Sequence, residues 1–184
     1  MTETREKLAR AAIRLFVRKG LAATTTKEIA AAARLSEGTI YRYFPSKEEM
    51  AAQLFRENYV ALTGELHEAT RGIKDPLDRV AAMVACFYRM FDENRELFAF
   101  LFLASPRQPA LPASTMSPLR LLREALSEVP RAGWTAHASP ELATQLVLGL
   151  VTRPAEAVLA GHLPGPLAPN APAVGEAIRR LLKP

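Results

Sequence analysis

The chain has 184 residues, 49% hydrophobic and 23% charged, enough for one well-formed core or for a small domain joined to a larger one. Its single cysteine, Cys86, excludes an internal disulfide, and His67, His137 and His162 are too scattered to pair at metal-ligand spacing, so no metal or cofactor is expected. The formal charge is +5, and residues 1–60 hold eleven Lys and Arg against seven Asp and Glu, which places the excess where attraction to a polyanion would act.

Helix-forming Ala, Leu, Arg and Glu dominate and alternating β-branched runs are missing, so the sequence predicts an all-α fold of about nine helices. The first runs from about Thr4 to Lys19, with Leu8, Ala12, Leu15 and Phe16 on one face and Gly20 as its stop. This N-terminus is amphipathic without a secretory apolar core, so no export signal is expected. The most apolar segment, Leu97 to Ala104, is far shorter than the roughly twenty residues a bilayer needs, so no membrane span is expected and the cytoplasm is the expected location.

Residues 25–50 are the densest in helix starts and stops. Thr25 and Glu28 form a Thr-x-x-Glu capping box that opens a helix with Ile29 and the following alanines as its small apolar face. It ends at Arg34-Leu35. Ser36 offers the next N-cap oxygen, and a second short helix turns Ile40 inward while displaying Tyr41, Arg42 and Tyr43 before Pro45 interrupts it. Ser46 and Glu49 repeat the capping pattern and open a third helix. Two short helices joined by a tight turn, the second displaying an arginine and hydroxyls, form a helix-turn-helix, whose second helix enters the DNA major groove. Gly38 and Thr39 are small enough for close approach to base edges, and Arg42 can grip a guanine edge with two hydrogen bonds. The tyrosine hydroxyls and Lys47 can hold the backbone. Generic packing of capped helices is the competing reading.

On these residues the chain resembles the TetR family of transcriptional regulators. The pattern is carried by Ala11, Leu15-Phe16, Gly20, Thr25, Ile29-Ala30, Ala33, Ser36, Gly38, Tyr41, Phe44 and Lys47, within about a quarter of the chain. One position departs from it: the family usually has glycine in the turn where this chain has Arg34, and a non-glycine residue adopts left-handed backbone at about 1–2 kcal/mol. The resemblance implies a helix-turn-helix DNA-binding domain over 1–47 and a helical effector-binding and dimerisation domain over 48–184. Family position adds Lys27, Glu37 and Thr39 to Gly38 and Arg42 as base contacts. Thr25, Thr26 and Ser36 join Tyr41, Tyr43 and Lys47 as phosphate contacts.

Beyond Ser46 a long helix is predicted to about Arg71-Gly72, linking the two domains. Asp75-Pro76 starts the next, followed by a short buried helix after Asn94 and then a loop over 105–117 with three prolines. Ser117-Pro118 and Ser139-Pro140 each carry a cap-then-proline start, reaching about Val129 and Gly161; Pro154 is expected to kink or divide the latter after Arg153. A last helix starts near Pro172.

Phe87, Met90, Phe91, Phe98, Phe102, Met116 and Trp134 could line a pocket for an apolar or aromatic molecule, or equally be plain core. In the family, effectors commonly bind this domain, and two chains pair through the last two long helices. On this chain that seam would use Leu142, Leu146, Gly149, Leu150, Ala157, Val158, Ile178 and Leu181, which could also pack within one chain.

The resulting expectation is a dimeric, ligand-responsive repressor with no catalytic activity. It would bind a near-palindromic double-stranded operator and leave it when an unidentified small effector binds. A DNA-binding regulator with no effector is the alternative. A helical lipid carrier or hydrolase is remote, since there is no Gly-x-Ser-x-Gly and no glycine-rich phosphate loop.

Overall fold

The structure is a computed structural model that describes residues 3–103, 116–130 and 139–182. Among these residues it holds nine helices and no strand, as the composition predicts. They are α1 (Glu3–Ala23), α2 (Thr26–Ala33), α3 (Glu37–Tyr41), α4 (Lys47–Thr70), α5 (Pro76–Glu93), α6 (Arg95–Phe102), α7 (Pro118–Ser127), α8 (Pro140–Leu159) and α9 (Ala171–Leu182).

Local chemistry sets most of the boundaries. Gly20, at φ 78° and ψ 160°, breaks the helical path of α1 where the sequence predicts its stop. The side chains of Asp75, Asn94, Ser117 and Ser139 each accept a backbone N–H from the first turn of the helix that follows, at 2.8 to 3.2 Å. α8 continues through Pro154, so of the expected kink or division the division does not occur. The carbonyl that proline leaves unpaired belongs to Leu150, an exposed residue, so water can satisfy it.

The described residues form two compact units that meet in the chain between Tyr59 and Val60, inside α4. The first unit comprises the residues up to Tyr59 together with Asn94–Leu103, so α6 joins the N-terminal helices. Its core gathers Leu8, Ala12 and Phe16 of α1, Ile29 of α2, Ile40 of α3, Phe44, and Met50, Leu54 and Phe55 of α4. Phe100 of α6 stacks on Phe16 with ring centroids 6.1 Å apart, which explains why a helix so distant in sequence belongs here.

The second unit comprises Val60–Glu93 and the described residues from Met116 on. α5 is its centre, burying Leu77, Val80, Met83, Val84, Phe87, Tyr88 and Phe91, and it packs on α7, α8 and α9. Gly175 of α9 lets that helix approach α5 closely, since a Cβ there would lie 3.3 Å from the Cβ of Ala81. Asp92 accepts the N–H groups of Leu167 (2.9 Å) and Ala168 (2.7 Å), fixing the 3-10 turn Ala168–Asn170 that leads into α9. Ion pairs of Arg79 with Glu128 and Arg179 with Asp78 complete these links.

Among the described residues α8 is the one helix long and apolar enough by length and composition to cross a membrane, a test that core helices of soluble proteins also pass.

Candidate nucleic-acid interface

The α2–α3 pair is held by interactions that leave one face open. Thr25 and Glu28 form the predicted capping box: the Glu28 N–H donates to Thr25 Oγ1 at 3.2 Å, and the Thr25 N–H donates to Glu28 Oε2 at 3.0 Å. The Lys19 ammonium on the same carboxylate, reinforced by Thr25, holds Glu28 down to about 2. At the other end of α2, Arg34 stands at φ 58° and ψ 44°, the left-handed backbone that the glycine-for-arginine departure foretells. Its N–H bonds to the Ala31 carbonyl at 3.1 Å and that of Leu35 to the Ala30 carbonyl at 2.9 Å, a Schellman closure that turns the chain sharply into α3.

α3 departs from expectation in its cap. Ser36 takes the extended N-cap backbone, but its Oγ lies 2.8 Å from the Thr39 hydroxyl instead of capping an N–H. The first turn closes through the Thr39 N–H to the Ser36 carbonyl at 3.0 Å, so the hydroxyl is not needed there. Ser46 caps α4 as predicted, accepting from the Glu49 N–H at 3.0 Å. The reciprocal half is missing from that box because Arg56 takes the Glu49 carboxylate, at 2.7 Å.

Of the residues expected at bases, Lys27, Glu37, Gly38 and Arg42 are exposed and Thr39 is half-buried. Of those expected at phosphates, Thr25, Ser36 and Tyr41 are exposed, while Thr26, Tyr43 and Lys47 are half-buried. Thr26 donates its hydroxyl to Glu37 Oε1 at 2.5 Å and lies 3.4 Å from the Tyr41 hydroxyl, tying the start of α2 to α3. A Cβ added at Gly38 would meet nothing within 4 Å, so no packing inside the chain requires a glycine there.

Lys47 has a role that its sequence position conceals. Its Nζ donates to the carbonyls of Thr24 (2.7 Å) and Ala22 (3.1 Å), tying the first turn of α4 to the α1–α2 junction. Two of its three donors are thereby committed to backbone. The partners lie more than twenty positions away, so no local signal could reveal the clamp.

The aromatic residues expected to line a pocket are distributed over both units. Phe98 and Phe102 pair on α6 in the first unit, with centroids 4.8 Å apart, whereas Phe87 and Phe91 are core residues of α5 in the second. Met90 is half-buried, Met116 is exposed, and Trp134 lies outside the described residues. Two cavities described in the second unit use other side chains. One of about 160 Å³ lies among Leu126, Val129, Pro130, Ala143, Thr144 and Leu182. The other, about 330 Å³, is lined by His67, Arg71, Arg79, Met83, Leu121 and Glu124 among others. The Tyr88 hydroxyl is buried without a hydrogen-bond partner, and burial pushes it up to about 12.

The expected seam also divides. Leu142, Leu146, Gly149 and Leu150 are exposed along α8, Ala157 and Leu181 are half-buried, and Val158 and Ile178 point into the core of their own chain. Helical periodicity could not separate the inward positions from the outward ones.

Residues 8–54 match the family model described as bacterial regulatory proteins, tetR family. Over these residues the chain is similar to the N-terminal domain of the TetR family. Among curated relatives, it is 32% identical over 111 residues to the HTH-type transcriptional regulator YvkB of Bacillus subtilis, covering 60% of this chain and 55% of YvkB. It is 33% identical over 95 residues to the repressor KstR2 of Rhodococcus jostii, covering 52% and 47%. The chain thus spans about half the length of these relatives. In fold it is similar to the fatty acid degradation regulator FadR of Bacillus halodurans, with TM-score 0.77 at 19% identity, covering 97% of this chain and 95% of that one. FadR of Bacillus subtilis, solved in complex with stearoyl-CoA, gives 0.74 at 20% identity and 94% and 96% coverage.

Proposed function

We propose that the protein is a cytoplasmic, dimeric repressor that binds a near-palindromic operator through α2 and α3 and is released by a small apolar effector. The observation that carries this reading is the exposed face where Lys27, Gly38 and Arg42 stand clear of the core while the turn behind them is locked by a capping box and a Schellman closure. Arg42 offers the bidentate fork that suits guanine, and Thr39 and Glu37 flank it. Thr25, Ser36, Tyr41 and Tyr43 hold the phosphates, and Thr26, whose hydroxyl is given to Glu37, contributes its backbone N–H at the start of α2. The remaining donor of Lys47 adds at most a secondary contact.

Gly38 supports the same reading through what it lacks. Glycine within a helix is about 0.5–1 kcal/mol worse than alanine, and nothing inside this chain needs the space, so the vacant Cβ position serves an external surface. A single small module reads too few base pairs for strong specificity, which a two-fold dimer remedies. The exposed Leu142, Leu146 and Leu150, with the uncrowded Gly149 between them, give α8 the surface for that pairing.

The solved FadR in complex with stearoyl-CoA supports an effector with an apolar body, since a protein of similar fold was solved with one. An effector that favours a conformer with misplaced α3 helices shifts the population away from DNA. The unbroken α4, whose residues belong to both units, is the proposed lever.

The test is binding to duplexes selected from a randomised pool, read by fluorescence anisotropy. Gly38→Ala is expected to gain about 0.5–1 kcal/mol of folding stability yet lose about tenfold or more in affinity, while Arg42→Ala relaxes preference at one position by about 1–3 kcal/mol. A wild-type protein indifferent to duplex DNA would refute the reading.

A further inference from the structure

Glu37 is the one acid on the exposed face of α3. A carboxylate offers acceptors and no donor, and beside a phosphate backbone it meets only repulsion, so in a groove it needs a donor to face. Its position is already set within the chain. Thr26 donates to Oε1 at 2.5 Å, and the Tyr41 hydroxyl lies 3.4 Å from that same Thr26 oxygen. The bond fixes the side chain before any partner arrives, which removes part of the ordering entropy of binding and leaves Oε2 to accept. No ion pair among the described residues neutralises Glu37, although other acids of this unit are paired: Glu28 with Lys19, Glu49 with Arg56 and Glu57 with Arg5.

Two base-edge donors face the major groove, adenine N6 and cytosine N4. On adenine the donor adjoins the N7 acceptor, which repels a carboxylate and suits an amide side chain instead. Cytosine presents its amino group with no acceptor beside it on that edge. We infer that Glu37, preset by Thr26, is a specificity-determining residue that accepts from the N4 amino group of a cytosine in each operator half-site. This rests on the regulator reading above and adds the base that one position must carry.

The experiment is selection of duplexes from a randomised library by the wild type, Glu37→Gln and Thr26→Val, with circular dichroism confirming equal helix content. The wild type should enrich a two-fold motif with one cytosine per half-site that it prefers about tenfold over other bases. Glu37→Gln should lose that preference, or move it to adenine, at that position alone. Thr26→Val should keep cytosine with weaker discrimination. An unchanged motif for Glu37→Gln, or a uniform gain in affinity for all duplexes, would overturn the assignment while leaving the regulator reading standing. A wild type that enriches no motif would overturn both.

Discussion

Arg34 holds a backbone that glycine would take without strain, and the Schellman closure depends on it. Arg34→Gly should therefore stabilise the protein by about 0.5–1 kcal/mol, the relief of left-handed strain less the extra freedom of glycine in the unfolded chain. Denaturant unfolding would measure it. Tyr88 carries strain of another kind, a buried hydroxyl with no partner. Tyr88→Phe should raise stability by about 1 kcal/mol. The folded phenol is pushed above its ordinary 10 to about 12, so its share of stability is complete below pH 10 and is lost as pH rises toward 12. The phenylalanine variant should lack that part of the alkaline decline when the midpoints of the two proteins are compared at pH 9 and pH 11.

Among the elements, α2 depends most on its ends. Thr25→Ala should cost about 1 kcal/mol at pH 7 by removing the cap. Glu28 is depressed from 4.5 to about 2, so its contribution is complete above pH 4.5 and is lost as pH falls toward 2. The difference between wild type and Thr25→Ala should shrink across that acid range, which thermal unfolding at pH 7 and pH 3 would show. The same element explains what was legible in advance. Capping boxes, cap-then-proline starts and the strained Arg34 turn are written in adjacent residues, so α2, α7, α8 and most of the exposed side chains of α2 and α3 could be read directly. The Lys47 clamp, the Thr26–Glu37 bond and the membership of α6 depend on partners eleven or more positions away, and no local pattern encodes them. Phenylalanines at helical spacing look alike whether they line a cavity or fill a core, so the sequence left both readings of Phe87 and Phe91 open; both are buried on α5.

For the whole molecule, the proposed pairing of two chains rests on the exposed leucines of α8. Leu146→Glu places a charge in the middle of that row without disturbing a buried side chain, so the fold should survive while sedimentation shifts from dimer to monomer at micromolar concentration. Operator affinity should fall with it. An unchanged sedimentation coefficient would place the seam elsewhere.

Cys86, the single cysteine of the chain, is 1% exposed, and burial pushes its thiol above the ordinary range. Neutral-pH alkylating reagents will therefore react slowly with the native protein. A second thiol installed on an open helix face, for instance by Glu68→Cys, would take a spin label or fluorophore almost alone. Spectroscopy on such singly tagged material could follow the spacing of two copies as candidate inducers are titrated in, with no need to remove the native sulfur first.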